Sequence, residues 1–514
     1  MEFLKVCFKV EMDCLISAAK ENQMKKLLTW SCLIVLGISA SVFGEEVPER
    51  SDREAKAAEK IRRLEQRVED LERQLESQEQ SSGQASASSS ESDLEKRVDK
   101  LEKEMEEWNA ADTLRAYWDE GLEWDSQDGR FHIEFGGRIM TDFAFWTSKD
   151  SHIEDLVNDG DDLEDWTEFR RARLFTSGKL YSNTVIYKAQ YDFAEGDGDF
   201  KDVYIGFPKL LGDIGTVIVG HQKEPFSLEE QTSSKYMTFM ERGLPNVFSP
   251  GRNTGFKVGN NVLNERVTWA VGVFDDAGDF GEDTGDGDWA TTGRLTAAPW
   301  YADDGAKVLH LGMASSIRSL DDDETGFSSR PEMHEAPKFV DTGDIMADEG
   351  TLLGLESALV YGPFSVQGEW IQAQIDTEDD PFFDDPEFDG YYVYVSYFLT
   401  GEHRAYDLGD GAFGRLKPHE NAFEDGGLGA WEVGVRVSNV DLTDGLIMPA
   451  PDPFEPFEAP EEKTPGELDN IALGLNWYLN PNMRVMFNYV MADLDRAEVD
   501  DDVSAFLTRF QIDF

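Results

Sequence analysis

The last ten residues of this chain, Ala505-Phe506-Leu507-Thr508-Arg509-Phe510-Gln511-Ile512-Asp513-Phe514, show the sequence pattern from which its fold can be predicted. The even positions are Phe, Thr, Phe, Ile and Phe, whereas the odd positions end in Arg, Gln and Asp. A period of two gives a strand one apolar and one polar face. A closing aromatic is typical of outer-membrane β-barrels, which carry aromatic girdles at the membrane surfaces. The edge strand of a soluble sandwich would show the same local pattern, so the rest of the chain must decide.

The same period of two recurs from Phe131 to the end of the chain. Sixteen segments show it: 131–146, 166–181, 184–194, 200–208, 212–222, 252–260, 265–275, 290–299, 306–318, 350–361, 363–375, 390–400, 429–441, 467–479, 482–494 and 503–514. Many have the length of about 9–11 residues that crosses a membrane at a tilt. An even number suits a closed antiparallel barrel. We therefore predict an all-β fold, a sixteen-stranded antiparallel transmembrane β-barrel over 131–514, preceded by a short N-terminal coiled-coil segment.

The connections between these segments alternate in length. Short turns such as Ser182-Asn183 and Gly362-Pro363 alternate with long acidic loops such as 150–165 and 441–467. Porins have this asymmetry between the two membrane sides, whereas a soluble sandwich has no reason for it. The connection 401–428 is the exception, because it is long but falls on the short-turn side.

The N-terminus reads as an export signal. Met24-Lys25-Lys26 is a basic start, and the apolar stretch 27–42 follows it. We predict cleavage near Gly44, so that residues 1–44 are a mis-started leader plus a signal peptide whose natural start is Met24. The three cysteines all precede Gly44, and a disulfide framework is therefore not expected in the mature chain.

Residues 45–110 carry two short blocks of heptads, separated by the Ser-rich stretch 81–90. Apolar residues at a and d positions with charged flanks predict a coiled coil, which we expect in the periplasm. A solvated single helix or a disordered spacer is the alternative. We interpret residues 111–130 as a connector to the barrel.

The period of two also predicts which charges face the interior. If the apolar set faces lipid, twelve basic and eight acidic strand residues face water, because a basic residue on the lipid face near mid-membrane costs about 2–4 kcal/mol. Lys179 and Lys257 are two of these basic residues. The other ten are the candidate pore-lining residues: Arg138, Arg171, Arg173, Lys188, Arg266, Arg294, Arg318, Arg436, Arg484 and Arg509. Arg170 is assigned to the rim or to a bulge, because neighbours in a regular strand face opposite sides. Alternatively, these cations pair with carboxylates and only stiffen the wall.

Several motifs resemble the phosphate-selective porin O and P family. They are Gly136-Gly137-Arg138-Ile139, Glu168-Phe169-Arg170-Arg171-Ala172-Arg173-Leu174, the stretch 223–235, Arg330-Pro331-Glu332, Leu399-Thr400-Gly401-Glu402, Gly429-Ala430-Trp431-Glu432 and Leu475-Asn476-Trp477-Tyr478. The resemblance implies a sixteen-stranded, usually trimeric porin with an anion-conducting, sometimes phosphate-selective, channel. It also implies that the loop 223–250 folds inward as a constriction. The constriction-loop candidates are Glu229, Glu230, Lys235, Glu241 and Arg242.

The chain departs from the phosphate-selective members of that family at the constriction. Those members place a lysine in the inward loop, whereas this chain has Glu229 and Glu230. Around Arg330, where those members carry an arginine ladder, this chain has Ser328, Ser329, Glu332 and Glu335. Family membership is therefore better supported than phosphate specificity.

Other functional classes find no support in the sequence. The net charge of −57 argues against nucleic acid. No catalytic motif, no HExxH and no phosphate-cradling glycine loop occurs, so we expect no enzyme, no cofactor and no metal site. The leading hypothesis is an outer-membrane porin, a homotrimer that passes small anions, with phosphate as a candidate solute. A cation-preferring or general diffusion porin is the alternative. A structural tether that joins the envelope layers, with the barrel as its anchor, is a third hypothesis.

Overall fold

The computed structural model describes residues 114–119, 121–148, 163–194, 196, 198–278, 280–281, 289–377, 380, 382–424, 426–446, 464–496 and 499–514. The predicted signal peptide and coiled coil lie outside these residues. None of the helices in the described part of the chain is long and apolar enough to cross a membrane.

The described chain is almost entirely β-strand. In chain order the strands are β1 (Leu114–Trp118), β2 (Leu122–Ser126), β3 (His132–Ser148), β4 (Trp166–Leu180), β5 (Val185–Asp192), β6 (Asp199–Phe207), β7 (Thr216–Lys223), β8 (Arg252–Val262), β9 (Val267–Asp275), β10 (Trp289–Ala302), β11 (Lys307–Thr325), β12 (Ser328–Ser329), β13 (Val340–Asp341), β14 (Ile345–Tyr361), β15 (Phe364–Thr377), β16 (Glu387–Phe398), β17 (Tyr406–Asp407), β18 (Ala412–Phe413), β19 (Ala430–Asp441), β20 (Glu467–Asn480), β21 (Met483–Arg496) and β22 (Val499–Asp513). The helices are short: α1 is Leu228–Gln231, and 3-10 turns cover Gly212–Ile214, Leu244–Phe248 and Asp303–Gly305.

Sixteen of these strands form one closed antiparallel barrel. The barrel consists of β3 to β11, β14 to β16 and β19 to β22, and each strand pairs with the next one. The last strand β22 pairs with β3 and closes the sheet, with Arg509 directly opposite Asp142. All sixteen predicted segments are barrel strands, so the predicted fold class is confirmed.

The two sides of the wall differ as the period of two predicts. In β16, Val393 and Val395 are 44% and 41% exposed, whereas their neighbours Tyr392 and Tyr394 are 2% exposed each. In β22, Phe510 is 52% exposed and Arg509 only 1%. The exposed outer face therefore carries the apolar set, as a membrane-facing surface must.

The buried face of the wall is not uniformly polar, which the sequence analysis did not expect. Phe226 and Phe248 of the segment between β7 and β8 pack in one buried apolar cluster with wall residues such as Leu352 and Ile371. A second cluster joins Phe239 of the same segment to wall residues of β16 and β21. A strand with apolar residues on both faces no longer shows a period of two. Here the apolar residues on the inner face are explained by their packing against the segment between β7 and β8.

The stretch interpreted as a connector contains a hairpin. Strands β1 and β2 pair with each other, and β2 pairs with the first residues of β3, from Leu122 opposite Phe135 to Asp125 opposite His132. On the barrel side, the main chain of Phe514 pairs with that of Gly137. The hairpin therefore continues the sheet along β3 where β22 ends.

The long connection 401–428 forms the small hairpin β17–β18 and packs against other parts of the barrel. Tyr406 and Phe413 share a buried cluster with Leu228 of α1 and with Val308 and Val360 of the wall. The main chain of Phe413 donates to the Thr232 hydroxyl, 3.4 Å away. Its length is explained by these contacts, which reach the segment between β7 and β8.

Candidate functional site

The segment 224–250, between β7 and β8, is bound to the wall through its main chain. The main-chain N–H groups of Leu228 and Glu229, at the start of α1, donate to the Glu369 carboxylate at 2.8 and 2.7 Å. The Ser227 hydroxyl caps the same turn by accepting from the Glu230 N–H at 3.1 Å. A carboxylate at a helix start satisfies N–H groups that have no partner inside the helix.

The middle of the segment is held by arginines of the last two strands. Arg484 of β21 donates to the carbonyl oxygens of Met237 and Ser234, at 2.6 and 3.2 Å. Arg509 of β22 donates to the carbonyl oxygen of Met240. Segment 224–250 therefore contacts strands on well-separated parts of the sheet.

The three acids predicted in this segment are all paired with cations. Glu229 lies 3.4 Å from the Arg436 guanidinium and accepts from the Gly243 N–H at 2.9 Å. Glu230 lies 2.9 Å from Arg242 and 3.3 Å from Lys223. The negative charges of Glu229 and Glu230 are therefore neutralised locally.

The pKa values of these acids follow from burial against charge. Burial raises the pKa of Glu229 above its ordinary value despite the nearby Arg436. Burial acts in the same direction on Glu241, but Arg170 and Arg509 hold the pKa of that carboxyl well below its usual range. Burial also opposes ionisation of Glu230, yet Arg242 and Lys223 lower its pKa.

Six of the ten predicted pore-lining cations form ion pairs with carboxylates. The pairs are Arg173 with Asp192, Lys188 with Asp202, Arg294 with Glu356, Arg318 with Glu224, Arg436 with Glu332, and Arg509 with Asp142 and Glu241. These six cations are therefore paired with carboxylates, which is the pairing that the alternative interpretation of the sequence expects. Removing either partner of such a buried pair leaves an uncompensated charge.

The other four cations have neutral partners within the part of the chain that the structure describes. Arg138 donates to the Ser234 hydroxyl at 2.7 Å, and Arg484 to Gln511 and two carbonyls. Arg266 donates to the carbonyl oxygen of Tyr301 at 3.2 Å. Arg171 is 4% exposed, and its Nε has no hydrogen-bond partner among the described residues. These side chains leave positive charge without a matching carboxylate.

A bulge in β4 explains how two adjacent arginines reach one side of the wall. The register between β3 and β4 shifts where Met140 is opposite Arg171 and Thr141 is opposite Phe169, so the strand pairing skips Arg170. Arg170 is thus at a bulge, as assigned. Its guanidinium donates two hydrogen bonds to Glu241, both 3.0 Å long.

A small cavity lies beside Lys235 and is surrounded by positive charge. Lys235, Arg404, Arg415 and Arg484 all line it, and Asp513 is the one carboxylate among its described lining residues. Its volume of about 30 Å³ exceeds the ~10–15 Å³ that one water needs. Burial lowers the pKa of Lys235 to about 8. Lys235 and Arg484 are among the residues predicted from the sequence, whereas Arg404 and Arg415 are not, because the connection 401–428 had no assigned role.

Comparison with known protein families gives the family. The model described as phosphate-selective porin O and P matches residues 136–514. The chain belongs to the phosphate-selective porin O and P family. This porin is similar to Porin O of Pseudomonas aeruginosa, at 28% identity over 431 residues that cover 77% of this chain and 91% of the relative. It is also similar to an uncharacterized protein of Caulobacter vibrioides, at 27% identity over 68% of each chain.

Solved structures of other outer-membrane channels are more distant. OmpT of Vibrio cholerae is 12% identical with a TM-score of 0.46, covering 75% of this porin and 98% of that chain. The anion-selective porin of Comamonas acidovorans is 12% identical with a TM-score of 0.45, covering 75% and 100%. Family and transmembrane barrel together make this protein an outer-membrane porin.

The structure also brings together a group that sequence reasoning missed. Glu168 of β4 lies beside His334 and Glu335 of the loop between β12 and β13. No spacing rule could have found it, because the residues are more than 160 positions apart. No metal site was predicted from the sequence, because no histidine forms a local ligand motif.

Proposed function

We propose that this porin conducts small anions by passive diffusion, with phosphate among the solutes. The observation that carries the proposal is the cavity beside Lys235, where four cationic side chains face one carboxylate. Rings of Arg and Lys at a constriction favour anion passage. Membership of a family described as phosphate-selective agrees with this direction.

The loop 223–250 acts, on this proposal, as the constriction. Support comes from the two arginines of β21 and β22 that bind its main chain and from Glu369 of β15 that binds α1. Its buried phenylalanines pack on the same wall face as the buried cations. A segment held from several strands on that face is expected to narrow the lumen.

Ion selectivity tests the proposal directly. Purified protein in a planar bilayer with a KCl gradient should give a reversal potential of the anion-selective sign. Lys235→Ala and Arg171→Ala should shift that potential towards zero. Lys209→Ala is the matched control, because Lys209 is exposed in the turn between β6 and β7 and should leave the potential unchanged. Cation preference at every salt concentration would refute anion conduction.

Phosphate needs its own measurement. Arg suits phosphate oxygens because its planar guanidinium donates in a fork, and three of the four cations at the cavity are arginines. Adding phosphate to a chloride bath should reduce the chloride current, and Arg404→Ala should weaken that block. An unaltered chloride current at every phosphate concentration would restrict the proposal to small anions in general.

A general or cation-preferring porin is the second candidate, favoured by the six carboxylate-paired cations. Their charges cancel locally, so that the acidic loops could dominate the field at the channel mouth. The selectivity measurement above distinguishes the two candidates, because this one expects a reversal potential near zero or of cation-selective sign.

A further inference from the structure

The group Glu168, His334 and Glu335 joins the barrel wall to a long loop. The His334 Nδ1 lies 2.8 Å from the Glu168 Oε2 and 3.4 Å from the Glu335 Oε1. One ligand atom from each residue lies within 4.8 Å of the other two. Glu168 belongs to β4, whereas His334 and Glu335 belong to the loop between β12 and β13.

The Glu168 carboxylate is only half used by these contacts. Its side chain is 9% exposed. Its Oε2 meets His334, but its Oε1 is buried and has no hydrogen-bond partner among the described residues. A buried carboxylate oxygen without a donor is costly and calls for an explanation, such as an ion.

We propose that Glu168, His334 and Glu335 bind a divalent transition-metal ion of the Zn²⁺ class. One imidazole and two carboxylates are ligands that such ions take, whereas Mg²⁺ and Ca²⁺ prefer oxygen ligands alone. With metal–ligand bonds of about 2.0–2.1 Å in a tetrahedral arrangement, neighbouring ligand atoms are about 3.4 Å apart. The His334–Glu335 separation matches this value, and the His334–Glu168 separation must lengthen by about 0.6 Å.

The ion has a route to the site. The Glu335 side chain is 46% exposed, and the His334 side chain 20%. Three protein ligands leave a fourth position for water, as in open zinc sites.

A bound ion fixes the loop to the wall. Glu332, two residues before His334, accepts from Arg436 and from the Ser438 hydroxyl of β19. The loop therefore touches β19 through Glu332 and β4 through His334. A metal ion bound by both Glu168 and His334 would hold the second contact through metal–ligand bonds in place of the hydrogen bond between these two side chains.

Zn²⁺ binding to the full, detergent-folded barrel tests the proposal by isothermal titration calorimetry. One Zn²⁺ per chain is expected, with Mg²⁺ and Ca²⁺ giving no comparable heat. Because even outer-shell partners of metal ligands are worth about 10- to 100-fold in affinity, His334→Ala and Glu335→Gln should each weaken Zn²⁺ binding at least tenfold. Co²⁺ absorption should report nitrogen and oxygen ligands and disappear in His334→Ala.

The matched control is His419→Ala. His419 lies 3.5 Å from Glu402 and is 64% exposed, so it forms a histidine–glutamate pair without the buried third ligand. This variant should bind Zn²⁺ like the unaltered protein. Glu335→Gln keeps the test decisive if His334→Ala does not fold, since Glu335 is half exposed. No Zn²⁺ binding in the unaltered protein, or unchanged affinity in Glu335→Gln, would overturn the proposal.

Discussion

The ion pair that spans the barrel closure gives the sharpest stability prediction. Arg509 of β22 stands directly opposite Asp142 of β3, where the last strand meets the first. Its Nε and Nη2 donate to the two carboxylate oxygens at 2.8 and 2.6 Å, and Nη2 also donates to Glu241 at 2.6 Å. Arg509 is 1% exposed and Asp142 3%, so Arg509→Met leaves a buried carboxylate without its cation.

The size of the loss in the free energy of unfolding depends on which charges lose their partner in Arg509→Met. Breaking a buried ion pair by removing one member costs about 3–5 kcal/mol. Glu241 keeps Arg170 at 3.0 Å, so the unpaired charge is mainly that of Asp142. Replacing both members removes the unpaired charge. We therefore expect Arg509→Met to lower the free energy of unfolding by about 3–5 kcal/mol, and Arg509→Met with Asp142→Leu to recover most of that loss.

Urea unfolding in lipid vesicles, followed by tryptophan fluorescence, measures both variants. Lys179→Met is the control, because an exposed lysine away from the closure should change stability by no more than about 0.5 kcal/mol. A loss below about 1 kcal/mol for Arg509→Met would refute the reasoning. So would a double variant as unstable as the single one.

Three further predictions concern charge, backbone and assembly. Lys235 has a pKa of about 8, below the ordinary 10.5, so its side chain is charged below pH 8 and neutral above it. The reversal potential should therefore lose anion preference as the pH rises through 8. In Lys235→Arg this change in reversal potential should be smaller, because an arginine stays charged. Gly411 has φ +58°, and an added Cβ would lie 2.6 Å from the Thr296 Oγ1. Gly411→Ala should therefore cost about 2 kcal/mol in urea unfolding, while Gly414→Ala, with nothing within 4 Å, should be neutral. Light scattering of the detergent-solubilised protein should give the mass of three chains, and a monomeric mass would contradict the trimer.

The wall of the barrel was readable from sequence because its signal is local. Each strand exposes an apolar face, and residues two positions apart lie on the same face. The alternation of β16 and β22 can therefore be recognised within about ten residues. The strand ends were less accurate, since β11 and β14 continue past the predicted bounds into the loop between them. The β1–β2 hairpin was missed because two five-residue strands carry little periodicity.

The partners of the candidate site residues were not readable, for a different reason. The alternation predicts that Arg436 is buried, but its partners Glu229 and Glu332 lie 207 and 104 residues away. Such pairs depend on how two loops pack against the wall, which no local pattern encodes. The same holds for Arg404 and Arg415, whose place at the cavity depends on the fold of the connection 401–428.

The hairpin β1–β2 has a practical consequence for shortened versions of the protein. The family match begins at residue 136, which invites a chain cut there. Such a chain would lack β2, whose residues Leu122 to Asp125 pair with Phe135 to His132 of β3. A cut just before His132 would keep that stretch of β3 but leave its N–H and C=O groups as an open edge, the feature that promotes aggregation. A chain meant to fold in vitro should therefore begin before Leu114.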